Sequence, residues 1–170
     1  AKGGAIGASL IGESGFLGVS VSRFDTNYGI PGHGHEHEDE SQNKGGEEEV
    51  VRLDLEQTRI DLKGGLDNPF SGAESLRLRL SHNDYGHVEL EGDEIGTEFD
   101  NQELTGRLDI VHEEIGGWRG AYGVNFTQRD FSALGEEAFV PPSDTEQFGI
   151  FVVEGKDYGD WNLEFGARYD

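Results

Sequence analysis

Apolar and polar side chains alternate along most of this chain. Leu104, Leu108 and Ile110 occupy even positions while Thr105, Arg107 and Asp109 occupy odd ones. Past Gly116-Gly117, Trp118, Tyr122, Val124 and Phe126 alternate with Arg119, Asn125, Thr127 and Arg129. Successive side chains of a strand point to opposite faces, so a period of two predicts β structure. A helix would need a period of 3.6, and Gly scattered through the apolar runs would weaken it further. A soluble sandwich hides its apolar face. Runs of about ten residues with a charged second face, and with long loops at one end, fit a membrane barrel better.

Eight strands are expected, near 3–12, 15–26, 49–64, 74–85, 99–113, 118–132, 146–155 and 161–169. Tight turns join some of them, at Glu13-Ser14-Gly15, Gly116-Gly117 and Asp157-Tyr158-Gly159-Asp160. A further turn is read over Gly65–Ala73, where Asn68-Pro69 and Gly72 favour reversal. Long acidic loops are read near 27–48, 86–98 and 133–145. Short turns and long loops then alternate strictly, as in an up-and-down barrel with its long loops on one side. In the third strand the apolar parity changes from Val51, Leu53 and Leu55 to Ile60 and Leu62. A β-bulge near Gln57-Thr58 would reconcile the halves. Phe70, Tyr85, Trp118, Phe131, Tyr158, Trp161 and Tyr169 fall near strand ends, as an interfacial girdle requires, although aromatics favour strands anywhere.

With 170 residues the chain suits one domain. Its formal charge of −22 disfavours nucleic acid and anionic lipid heads as partners and favours cations. Such acidity also serves plain solubility. There is no Cys, so disulfides and thiolate metal sites are excluded. No signal peptide is visible, and the chain opens and closes in strand-like sequence, at Ala1-Lys2-Gly3-Gly4 and Arg168-Tyr169-Asp170. It is therefore expected to be a piece of a longer chain.

The first long loop contains Gly32-His33-Gly34-His35-Glu36-His37-Glu38-Asp39-Glu40. In an extended segment His33, His35 and His37 project to one side. Imidazole suits Zn, Cu, Ni or Fe, carboxylates can complete a zinc sphere, and Glu36, Glu38 and Asp39 would concentrate divalent cations. Gly-flanked and without Cys, such a loop predicts exchangeable capture rather than a rigid site. The competing reading is a solvated acidic loop with incidental His. His82 and His87 bracket the start of the second long loop and could join a metal site on that side; His112 is expected to be interfacial or exposed.

Motifs for nucleophilic catalysis, phosphate cradling and zinc hydrolysis are absent, and carboxylate pairs are uninformative among 35 acids. The chain is not expected to be an enzyme, and no catalytic cofactor is implied. Arg52, Arg77, Arg79, Arg107, Arg119, Arg129 and Arg168 are placed with Asp54, Asp109 and Glu164 on the polar face, as cross-strand charge pairs.

Longer motifs carry a family resemblance. Asn27-Tyr28-Gly29-Ile30-Pro31-Gly32-His33 with its His/acid tract resembles the barrel portion of TonB-dependent outer-membrane receptors, most of all the zinc-uptake branch. So do Gln57-Thr58-Arg59-Ile60-Asp61-Leu62, Asn68-Pro69-Phe70, the run from Arg129 to Pro142, and Glu164-Phe165-Gly166-Ala167-Arg168-Tyr169. The resemblance covers essentially the whole chain, and the run from Arg129 to Pro142 is its most specific part. It implies an all-β, antiparallel up-and-down transmembrane barrel segment of about eight strands, an open curved sheet cut from a larger barrel. Residues 1–170 would be a partial barrel domain, without the plug and the remaining strands. The implied setting is the Gram-negative outer membrane. The implied partners are outer-membrane lipid, a metal ion or chelate, and the TonB system acting through the parent's plug. Zinc or another divalent metal would be the transported ligand. Two other classes remain open: a self-contained eight-stranded outer-membrane barrel with a structural or adhesive role, and a soluble acidic cation-binding β protein.

Overall fold

The computed structural model describes residues 1–30, 51–92, 94–135 and 138–170. They form eight antiparallel strands: β1 (Lys2–Gly12), β2 (Gly15–Ile30), β3 (Val51–Phe70), β4 (Ala73–Glu91), β5 (Glu94–His112), β6 (Trp118–Gly135), β7 (Ser143–Tyr158) and β8 (Trp161–Tyr169). Each strand pairs with its neighbour in sequence, so the topology is up-and-down throughout. The sheet is open. Among the described residues no ladder joins β1 to β8, which form its two edges.

The pair register sorts side chains into rows. On one face, Leu10, Leu17, Gly64, Leu78, Leu108, Val124, Ile150 and Tyr169 stand side by side across all eight strands. The row on one side of it holds Leu66, Leu76, Ile110, Tyr122, Val152 and Ala167; the row on the other holds Val19, Leu62, Leu80, Phe126 and Phe148. These rows contain no charge. On the opposite face the corresponding rows carry Lys63, Arg79 and Arg107, then Asp61, Ser81, Thr105, Thr127 and Gln147.

Two steps further along the strands both faces invert. The apolar face becomes Arg23, Thr58, Asp84, Gln102, Asp130 and Asp144. The polar face becomes Phe24, Gln57, Tyr85, Asn101 and Phe131, followed by Leu55, His87, Phe99 and Ala133. This inversion is the physical origin of the parity change in β3. The expected bulge at Gln57-Thr58 is absent: β3 keeps an unbroken register with both neighbours there. The irregularity instead lies between Asp67 and Phe70, where Asn68 adopts φ 49° ahead of Pro69.

Several expected boundaries also move. Residues 86–98 are not a loop, because β4 runs to Glu91 and β5 starts at Glu94, with Val88 paired to Glu98 and Glu89 to Thr97. Acids there favour a loop, yet they alternate along strands whose far halves carry charge on one face. Likewise the turn expected over Gly65–Ala73 shrinks to Ser71-Gly72, because β3 continues to Phe70. β6 extends to Gly135 and β7 begins at Ser143, which shortens the third loop. β2 continues to Ile30, and residues 31–50 lie outside the described residues.

The hairpin at Gly116-Gly117 is held by reciprocal Ile115–Trp118 backbone bonds of 3.0 and 3.1 Å. Both glycines have positive φ, 64° and 85°, as a two-residue turn matched to strand twist demands. Glycine also seats aromatics across strands. Phe126 lies over its partner Gly106, and Phe151 over Gly123, where an added Cβ would stand 2.7 Å from the ring. Among the described hydrophobic residues only Leu53, Ala73 and Ala133 are buried. Among the described residues the sheet has no second layer, and its apolar rows are left uncovered by them.

Candidate functional site

The polar face carries most of the chain's cations in a ladder. Arg59 pairs with Asp61 at 2.9 Å, Arg77 with Asp67 at 2.8 Å and Arg119 with Asp157 at 3.1 Å. Asp109 receives both Arg107, at 2.8 Å, and Arg79, at 3.4 Å. Arg107 also lies over the Phe151 ring, 4.5 Å from its centroid. Open to water, each such pair contributes at most about 1 kcal/mol, so the ladder orders the face more than it stabilises the sheet. A groove of about 450 Å³ opens on this face between Arg59, Lys63, Arg79, Arg107 and Arg168.

Beyond the inversion the same face turns aromatic. His87 stacks on Phe99 with centroids 4.3 Å apart and meets Tyr85 edge-on at 5.6 Å. Its Nδ1 is buried without a hydrogen-bond partner. Burial lowers the His87 pKa, and the nearby Glu89 carboxylate only partly opposes this. His87 is therefore neutral at neutral pH, and a neutral imidazole has a lone pair to offer.

Of the expected metal residues, His33, His35, His37, Glu36, Glu38 and Asp39 lie outside the described residues. His82 and His87 are described, and the structure does not bring them together. His82 stands on the apolar face between Ile60 and Leu104, while His87 stands on the other face between Leu55 and Phe99. An odd spacing on an unbulged strand forces them apart. Among the described residues no group of three His, Asp or Glu side chains is arranged to hold a metal ion. Arg52 and Asp54 also leave the expected set: they share the face of Ile60 and Leu62, beyond the inversion, whereas the other six arginines, Asp109 and Glu164 share the polar face.

Two arrangements escaped the sequence reading. The Tyr85–His87–Phe99 stack is not visible in the sequence, where the acids of 86–98 favour a loop. His112 is 9% exposed and bonded to Glu154, 42 residues away, a contact that no local pattern announces. No protein-family model matches the chain.

Proposed function

We propose that this chain is a run of staves from the barrel of a TonB-dependent outer-membrane receptor. Its parent imports a metal, zinc above all, or a metal chelate. The observation that carries the barrel part is the band of uncharged rows on one face of an open up-and-down sheet, backed by a charged face and ended by a charged row. Hydrocarbon outside and water inside require that pattern. With tails as apolar as Leu around it, the uncovered face needs no second protein layer. The zinc part rests on the family resemblance and on the His33–His35–His37 tract with its acids.

In this reading the inverted halves of the strands stand clear of the membrane on the side of residues 31–50. Their acids face outward, and the Tyr85–His87–Phe99 stack lines the mouth. A self-contained eight-stranded barrel is the second reading, but it requires β1 to pair with β8, and those edges are apart. Calorimetry tests the metal. Zinc titrated into the wild type should give a binding isotherm that the His33→Ala/His35→Ala/His37→Ala variant loses. An unchanged isotherm would remove the loop from the proposal.

A further inference from the structure

At the short-turn end of the sheet, His112 is held from two sides. Its Nδ1 lies 2.6 Å from the Glu113 carbonyl oxygen, and its Nε2 lies 3.0 and 3.1 Å from the two carboxylate oxygens of Glu154. His112 closes β5, Glu154 belongs to β7, and β6 runs between them. The reach is made by Gly120, the partner of Glu154 in β6. A Cβ at Gly120 would stand 2.6 Å from the Glu154 carboxylate, so only a residue without a side chain lets it pass. Ala73, fully buried, closes the site from β4.

The donor inventory decides the charge state. A carbonyl and a carboxylate only accept hydrogen bonds, while a neutral imidazole has one N–H. Both contacts are satisfied together only by the imidazolium, which has two. The surroundings agree. Glu113 and Glu114 in the turn and Glu74 of β4 are acidic, and β6 presents Gly120 and Trp118. Among the described residues the nearby cation on this face is Lys156 of β7. Its Nζ donates to the Gly116 carbonyl at 2.6 Å and lies near the Trp118 and Tyr158 rings, 5.6 and 5.1 Å from their centroids. Arg119 points to the opposite face, where it pairs with Asp157 and, at 3.5 Å, with the Glu114 carboxylate.

We propose that His112 and Glu154 form an imidazolium–carboxylate clamp that ties β5 to β7 over Gly120 and loosens when the imidazole loses a proton. The clamp stands independently of the receptor reading, because it needs only the register and the two contacts. Its contribution is complete below the ordinary His range near pH 6.5 and disappears as pH rises through the higher folded value.

The test is imidazole ¹⁵N NMR on the chain in detergent micelles, with His33, His35, His37, His82 and His87 changed to Gln so that His112 alone reports. The expected result is a ring that titrates above the ordinary histidine value near pH 6.5, doubly protonated where a free imidazole is half titrated. Adding E154Q should move its titration down by at least about one pH unit, a tenfold loss of proton affinity. A ring that titrates near pH 6.5 or below with Glu154 in place overturns the clamp, and this readout needs no clamp variant to fold. Thermal unfolding adds a second measure: the wild type should lose stability from pH 6 to pH 9 more steeply than E154Q. Equal slopes also overturn the proposal.

Discussion

The uncharged rows make a demand that one substitution can test. Leu78 sits in the row flanked on both sides by uncharged rows, between Gly64 and Leu108. From Leu66 to Ile60, whose row meets its first charge only at Glu146 of β7, is six residue steps, about 20 Å at roughly 3.4 Å each. Adding half a pair spacing at each end gives about 27 Å along the strand. A tilt of about 40° brings this to about 21 Å of height, close to the roughly 25 Å apolar band of outer-membrane barrels. Leu78 is then near the midplane, where Arg costs about 2–4 kcal/mol, whereas Arg near an interface costs about 0–1 kcal/mol. Leu78→Arg should therefore lower the folding equilibrium roughly 30- to 1,000-fold. Gln102→Arg, in the row shared with Arg23, Asp84, Asp130 and Asp144, should lower it no more than about fivefold. Urea unfolding in lipid vesicles, followed by Trp118 and Trp161 fluorescence, measures both. In a sheet that faces water, neither position meets hydrocarbon and the two variants would agree within about 0.5 kcal/mol. That agreement would refute the membrane assignment of this face.

Three further outcomes follow from side-chain contacts. Gly123→Ala would drive a methyl group into the Phe151 ring and the Leu108 carbonyl, and should cost about 1–3 kcal/mol of unfolding free energy by overpacking. Gly4→Ala, with open space at its Cβ, is the comparison that should stay within about 0.5 kcal/mol. His87 is disfavoured as a cation by burial. Its neutral stacking should stabilise the fold above about pH 6.5 and be lost as pH falls toward the lowered folded value, so His87→Phe should flatten the stability profile between pH 7 and pH 5. This trend has the opposite sign to that of the His112 clamp, so the two histidines are separable by variant and by pH.

Strand identity was legible in the sequence because a two-residue period survives any register. Faces were legible only where the surroundings of the strand stay constant. From Leu62 to Leu66 and from Leu76 to Leu80 the apolar parity is uniform, and the expected face is the observed one. At Leu55 the parity reverses, and two explanations fit a single sequence: an inserted residue that flips the strand, or a straight strand whose two faces exchange environments. Only pairing across β2, β3 and β4 distinguishes them, since a bulge shifts one strand whereas inversion shifts all of them at the same row. That one ambiguity also misplaced Arg52 and Asp54, while the acids of 86–98, which mark a loop in a single sequence, concealed the strand that carries His87. The His112–Glu154 contact was illegible for a different reason, because it depends on β6 offering Gly120 at the one row where β5 and β7 must meet.

The two bare edges carry the last argument. A strand of nine residues such as β8 turns the backbone groups of about half its residues outward, roughly nine N–H and C=O groups. In hydrocarbon each unmet group costs about 2 kcal/mol or more. That sum of about 20 kcal/mol exceeds the 5–15 kcal/mol by which proteins are ordinarily stable. If the uncharged rows lie in a membrane, something must therefore cover β1 and β8. In a self-contained barrel they cover each other; in a larger one, other strands do. Cysteines decide between these. Ile6→Cys and Phe165→Cys place one thiol on each edge strand, on the apolar face, and the protein has no other Cys. With the sheet open, oxidation in lipid should give no intramolecular disulfide at any neighbouring register, from Ala8→Cys to Leu163→Cys. A bridge needs Cα atoms within about 7 Å, so one efficient cross-link in that set would close the barrel on eight strands and remove the need for further staves.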